Sequence, residues 1–129
     1  MKKLIIISII FALMLGGGIW EIVYTTHVYG DIYDGLIKVQ KSIDEHEDVK
    51  NEETVRLTHE AVDIWEKNKE VLFCFGNHNI LRTVDEKLES LRAMVDINYT
   101  DDAKIMLAVS LSLIEAIQND NVPNATNMF

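Results

Sequence analysis

Apolar residues fall into four blocks along the chain, and the first differs in kind from the other three. Leu4–Trp20 is an uncharged, mostly aliphatic run with Met1-Lys2-Lys3 in front and Glu21-Ile22-Val23-Tyr24 behind. As a helix rising ~1.5 Å per residue it spans about 25 Å. Carried through Tyr24 it reaches about 31 Å, the thickness of a hydrocarbon core. Beyond it the pattern becomes amphipathic. Ile32, Leu36, Val39 and Ile43 recur at helical spacing, so the first helix is expected to continue as a stalk to about Glu47. Gly30 and Gly35 are soft points in it, each costing up to about 1 kcal/mol relative to alanine.

A break is expected at Asp48–Asn51, then a second helix over about Glu52–Phe75. Its apolar stripe is Val55, Leu57, Ala61, Ile64, Trp65, Val71 and Leu72. Gly76-Asn77 is the expected stop, because both residues tolerate the left-handed backbone common at helix ends. A third helix carries Ile80, Leu81, Val84, Leu88, Leu91 and Val95, and Asn98–Thr100 make the next turn. Thr100-Asp101-Asp102 is a good helix start, placing acceptors and negative charge at an N-terminus. The last helix holds Ile105, Leu107, Val109, Leu111, Leu113, Ile114 and Ile117. This apolar content wraps so widely that the helix is expected to be the most buried of the set. Strand-like alternation is absent and the one proline is Pro123. The fold class predicted is all-α: an N-terminal transmembrane helix continuing into a small antiparallel helical bundle of two stacked hairpins. The expected divisions are residues 1–25 as anchor, 26–118 as acidic bundle and 119–129 as polar tail.

A faint repeat supports the paired hairpins. Leu36, Val39, Ile43 and Asp44 match Leu88, Leu91, Val95 and Asp96 in spacing, and Leu57, Ala61 and Ile64 match Leu107, Leu111 and Ile114. Amphipathic periodicity alone also produces such matches.

The first block has two readings. As an uncleaved anchor, it carries Trp20 and Tyr24 one turn apart near its far end, where amphipathic rings favour headgroups. Lys2 and Lys3 then stay cytoplasmic and the rest of the chain lies outside, giving a single-pass protein with an extracytoplasmic C-terminal domain. As a signal peptide, it offers cleavage near Gly18, since Gly16 and Gly18 satisfy a small-x-small rule. Against cleavage, Ile19-Trp20 and Ile22-Val23-Tyr24 would leave a bulky apolar start on the mature chain.

Charge narrows the partners. The 129-residue chain carries a net −9, and taking away Lys2 and Lys3 leaves −11 on the remainder. Such a surface argues against nucleic acid, whose phosphates need clustered lysine and arginine. Cys74 is the single cysteine, set in Val71-Leu72-Phe73-Cys74-Phe75, and is expected to be a buried structural thiol.

Candidate chemistry is thin. His59 and Asp63 stand one turn apart, but without the second histidine of a helical zinc motif they read as a solvated pair. Asp44-Glu45-His46-Glu47-Asp48 is oxygen-rich yet lacks the alternating ligands and central glycine of a calcium loop. No catalytic residue, cofactor site or metal set is nominated, and an enzyme is not expected. The surface of interest is Trp65 with Phe73, Phe75 and His78 around the second turn. Aromatics at such a corner close a core, and any part left exposed makes a contact patch for a partner.

Taken together, several features form a pattern. They are the basic start, the apolar span ending in glycine and Trp20-Glu21, Trp65-Glu66-Lys67, the phenylalanines leading to His78, Glu86-Lys87-Leu88-Glu89-Ser90-Leu91, and the close on Asn127-Met128-Phe129. The chain thereby resembles a domain-of-unknown-function family (DUF4363-like) of short single-span helical proteins, met mainly in spore-forming Gram-positive bacteria. The triple glycine and Phe73-Cys74-Phe75 depart from that pattern. The resemblance implies location and size and adds no reaction. The function expected is an accessory or scaffold subunit, held in the membrane by Leu4–Tyr24 and contacting a larger polytopic membrane protein. The alternative is an extracytoplasmic binding module for a small ligand or cation.

Overall fold

The apolar periodicity is realised as four α-helices: α1 Lys2–Glu45, α2 Glu52–Phe75, α3 His78–Asp96 and α4 Thr100–Asn121. A computed structural model describes residues 1–46 and 48–121, and among them there is no strand. Short links force each helix to run back along its predecessor. α1 packs on α2 and α4, and α3 packs on the same two, so the helices close into an antiparallel ring around one core. Pairings along α1 and α2 mark the register: Ser42 meets Thr54, Tyr24 meets Asn68 and Trp20 meets Phe75.

The stripe on α1 is fully inside, with Ile32, Leu36 and Val39 at 0% exposure. Burial of each such side chain contributes about 1.5–3 kcal/mol relative to leaving it in water. On α3 the buried positions are Leu81, Val84, Leu88, Leu91 and Val95. Ile80, expected in that stripe, is exposed. On α2 the expected Ala61, Trp65 and Leu72 do face inward, while Val55, Leu57 and Ile64 pack against the core from its edge. Thr54, Thr58, Ala61, Val62, Trp65 and Leu72 are buried there, while Val71 is exposed. Two threonines reach the core because local acceptors satisfy them. The Thr54 and Ser42 hydroxyls lie 2.6 Å apart, and the Thr58 hydroxyl donates to the Thr54 carbonyl at 2.7 Å. Gly35 faces this seam, where a β-carbon would stand 3.2 Å from that of Ala61. The residue that weakens α1 as a helix therefore lets α2 approach it.

Helix α4 is not the most buried. Ala103, Leu107, Ser110, Ile114 and Ile117 face the core, a stripe no wider than that of α3, and Ile105 is exposed. The remaining apolar residues on α4 are partly or fully open. The repeat also holds only in its first half. Leu36, Val39 and Ile43 and their counterparts on α3 are all buried, whereas Leu57 and Ile64 are half-buried opposite the buried Leu107 and Ile114.

Helix ends are fixed by asparagine. The Asn51 side chain accepts from Thr54 N–H at 2.8 Å, and Asn77 accepts from Asn79 N–H at 2.9 Å, as expected of N-caps. Gly76 does not take the left-handed backbone; its φ is −105°. A β-carbon there would stand 2.7 Å from Leu81 Cδ1, so crowding rather than torsion calls for glycine. The left-handed residue is Asn98, at φ 61° in the α3–α4 turn. Thr100 is already helical, so the first-turn charge of Asp101 and Asp102 remains as the N-terminal signal. Residues 119–121, expected in the tail, continue α4, and the tail beyond lies outside the described residues.

Candidate functional site

The two ends of the ring differ. At the far end, Val49 from the α1–α2 link is fully buried, and Lys50 N–H donates to Asn98 Oδ1 at 3.1 Å, tying the two far turns together. Exposed Ile97, Tyr99 and Ile105 lie around that α3–α4 turn. The opposite end, the base, is where residues 1–24 leave the ring. Throughout Leu4–Val23 no side chain is buried, and the most apolar window has a mean hydropathy of 2.2. The segment is thus one candidate membrane span by length and composition. A soluble monomer rarely exposes an apolar surface of this extent.

Four ring–ring contacts lie at or near the base. Trp20 stacks on Tyr24 with centroids 5.2 Å apart and meets Phe75 edge-on at 6.0 Å. Phe73 meets His78 edge-on at 5.4 Å and lies 6.4 Å from Trp65. The Tyr24 hydroxyl donates to Asn68 Oδ1 at 2.6 Å. The apolar segment is therefore braced against α2 at two successive turns of α1.

The nominated corner residues divide between core and surface. Trp65 is fully buried, and its indole N–H donates to Asp85 Oδ1 at 2.7 Å, so it closes the core and offers no surface. Phe73 is half-buried, while Phe75 and His78 are exposed and stand at the base. Cys74 is exposed, its thiol donating to the Glu70 carbonyl at 3.4 Å, which corrects the expectation of a buried thiol. The aliphatic run around it is read off by α2, which turns only Leu72 fully inward.

The acidic candidates do not gather. His59 Nε2 sits 2.8 Å from Asp96 Oδ1 on α3, so its partner is across the seam and not Asp63 one turn along. His46 Nδ1 lies 2.7 Å from the Ser42 carbonyl oxygen, and Glu47 of the same patch lies outside the described residues. Among the described residues no three metal-binding side chains converge. A polar seam that spacing did not reveal runs between α2 and α3. Lys69 Nζ pairs with Glu66 at 2.9 Å and with Asp85 at 3.5 Å, and Arg92 pairs with Glu89 at 2.6 Å. The carboxyls of Glu66 and Glu89 share a hydrogen bond, which holds Glu66 low and pushes Glu89 up, with Lys69 adding to the depression of Glu66.

A cleft of about 110 Å³ opens in the base between α1, the α2–α3 turn and the end of α4. Leu72, Leu81 and Ile117 make its wall, and Glu21 and Asp120 line it with carboxylates. Tyr29 also lines it, at 2% exposure. Burial, with the neighbouring Tyr24 adding to it, pushes the Tyr29 phenol up to about 12, so the hydroxyl stays neutral. Sequence reasoning missed this site because Glu21, Tyr29, Leu72 and Asp120 share no spacing pattern and meet only through the ring closure.

The architecture defines an antiparallel four-helix ring whose first helix extends outward as an apolar segment. No family model, curated protein or solved structure matches the chain.

Proposed function

We propose that the protein is a single-pass membrane protein that holds a small acidic four-helix ring at the outer face of the cytoplasmic membrane, as an accessory or scaffold subunit of a larger membrane protein. The observation that carries this reading is the contrast within α1. Its first half is largely apolar with no buried residue, and its second half runs without interruption into the core. Lys2 and Lys3 support an inside N-terminus. The rings of Trp20, Tyr24 and Phe75 would then lie at headgroup depth, where aromatic residues are enriched.

Two surfaces are offered to a partner: the span itself, and the base with Phe75 and His78. Purification of the full-length protein from its native membrane in mild detergent tests the reading. A parallel sample carries a foreign span in place of Leu4–Tyr24. A stoichiometric membrane partner present in the first and lost from the second is the expected result. Absence of such a partner from both overturns it.

A second reading, a module that binds a small ligand between its helices, draws on the cleft at the base.

A further inference from the structure

The α2–α3 turn is built unlike the other two. The α1–α2 link holds Asp44, Glu45, Asp48 and Lys50, and the α3–α4 turn is bounded by Asp96, Asp101 and Asp102. Between Glu70 and Arg82, by contrast, residues 71–81 carry no aspartate, glutamate, lysine or arginine. Val71, Phe75 and Ile80 in that stretch are nonetheless exposed. Exposed Ile97 and Tyr99 mark the far end too, but there the aspartates stand beside them in sequence. An uncharged turn with open apolar side chains calls for an apolar neighbour.

Position identifies that neighbour. The turn lies at the end of the ring where the apolar segment leaves it: Phe75 meets Trp20 edge-on at 6.0 Å, and Ile80 lines the base cleft together with Glu21. Helix α1 is unbroken through this junction, so the depth of Trp20 sets the depth of the turn. The backbone is also prepared for a poorly hydrated setting. Gly76 N–H donates to the Leu72 carbonyl and Leu81 N–H to the Asn77 carbonyl, both at 3.0 Å. The Asn77 side chain accepts from Asn79 N–H at 2.9 Å and from Ile80 N–H at 3.4 Å. With these donors bonded inside the chain, bringing the turn toward lipid costs less. Glu21 and Asp120, which line the cleft beside it, limit how far it sinks, since carboxylates stay at the level of the headgroups.

We propose that the α2–α3 turn is a second membrane contact, seated in the outer leaflet with its backbone among the headgroups and the Phe75 and Ile80 side chains against the upper acyl chains. Apolar side chains on an interfacial element gain by entering this boundary. The proposal rests on the anchor reading and refines it: lipid takes the underside of the base, and the surface left there for a partner protein is confined to its sides.

The test places a bimane fluorophore on single cysteines of the full-length Cys74→Ser chain in phosphatidylcholine nanodiscs. The quencher is phosphatidylcholine brominated near the top of its acyl chains, read against the same sample without bromine. Ile80→Cys reports the turn, Ile19→Cys the outer end of the span and Tyr99→Cys the far end of the ring. All three positions are exposed, so labelling leaves the core intact. Quenching at Ile80→Cys should exceed that at Tyr99→Cys several-fold and approach that at Ile19→Cys. Quenching at Ile19→Cys with none at Ile80→Cys overturns the proposal and leaves the anchor standing. No quenching at either position overturns the anchor, and the proposal with it. Photocrosslinking from a benzophenone at Ile80→Cys in native membranes completes the test. Crosslinks to lipid are expected, and a stoichiometric crosslink to a second protein overturns the proposal.

Discussion

Tyr29→Phe removes one oxygen from the floor of the cleft and leaves the ring in place, and its effects can be worked from the structure. The phenol is raised from 10.0 to about 12, chiefly by burial. A shift of this kind links stability to pH. The folded chain keeps its proton where the unfolded chain has lost it, so the contribution of Tyr29 is complete below pH 10 and is lost as pH rises toward 12. Two units at 1.36 kcal/mol each correspond to about 2.7 kcal/mol lost across that window. Tyr29→Phe should lose less stability over the same window by about that amount, read by urea unfolding of the full chain in micelles. At neutral pH the same change should leave stability unaltered or raise it by up to ~1 kcal/mol, because the hydroxyl has no hydrogen-bond partner to forfeit among the described residues. Tyrosinate absorbance gives a direct view. Of the four tyrosines, one should ionise late, near pH 12, and that phase should vanish in Tyr29→Phe. A late phase that persists in the variant, or a wild-type chain without one, refutes the assignment of Tyr29 as the buried phenol. A neutral-pH loss above ~1.5 kcal/mol would instead mean that the hydroxyl is bonded within the protein.

Other outcomes follow from the packing. Trp65→Ala should cost about 3–5 kcal/mol in urea unfolding, since it empties a fully enclosed site and leaves Asp85 without its indole donor. Gly35→Leu should cost about 1–3 kcal/mol or more by forcing α1 from α2 at Ala61, whereas Gly30→Ala should be neutral or stabilising by up to ~1 kcal/mol, because its β-carbon meets only Gln118 Nε2 at 3.9 Å. Cys74 should react with a membrane-impermeant maleimide while the protein is folded. Labelling on intact cells fits an outer-face ring, and labelling only after lysis reverses the proposed orientation.

The helical content and most of the core were legible because four strong apolar periodicities leave little choice of element. Where the reading departs from the structure, the cause is specific. Val55, Leu57 and Ile64 predicted the inner face of α2, but Thr54 and Thr58 occupy it, their hydroxyls satisfied by Ser42 and by a helix carbonyl. Hydropathy alone ranks a threonine outside; a local acceptor reverses that ranking. α4 misled in the opposite sense, since its apolar residues exceed what one face of a four-helix ring can cover, and Ile105 remains open. Gly76 does end α2, but crowding by Leu81 rather than a left-handed torsion calls for glycine there, and Asn98 supplies that torsion elsewhere. The corner aromatics were singled out together, yet only their depth separates Trp65 in the core from Phe75 at the base. The cleft was illegible because ring closure brings α4 beside α1, a long-range pairing that periodicity does not encode.

That closure also bears on how the ring would act at a membrane. A ring joined to its span by a flexible linker would swivel freely, and partner contacts on the two would be independent. Here α1 passes from exposed to buried within one helical turn, at Tyr24 and Thr25, with no break in the helix. Trp20 on Phe75 and Tyr24 on Asn68 brace that junction from α2. Gly16, Gly17 and Gly18 lie below both braces, and a β-carbon at any of them would meet no other part of the described residues within 4 Å, so bending there would move ring and braces as one body. Tilt or rotation of the outer part of the span should then carry the base with it, and a partner gripping both surfaces should sense their relative geometry. Phe75→Ala removes one brace without touching the span. If the two surfaces act together, it should weaken partner recovery nearly as far as span exchange does. Unchanged recovery would mean that the span alone makes the contact.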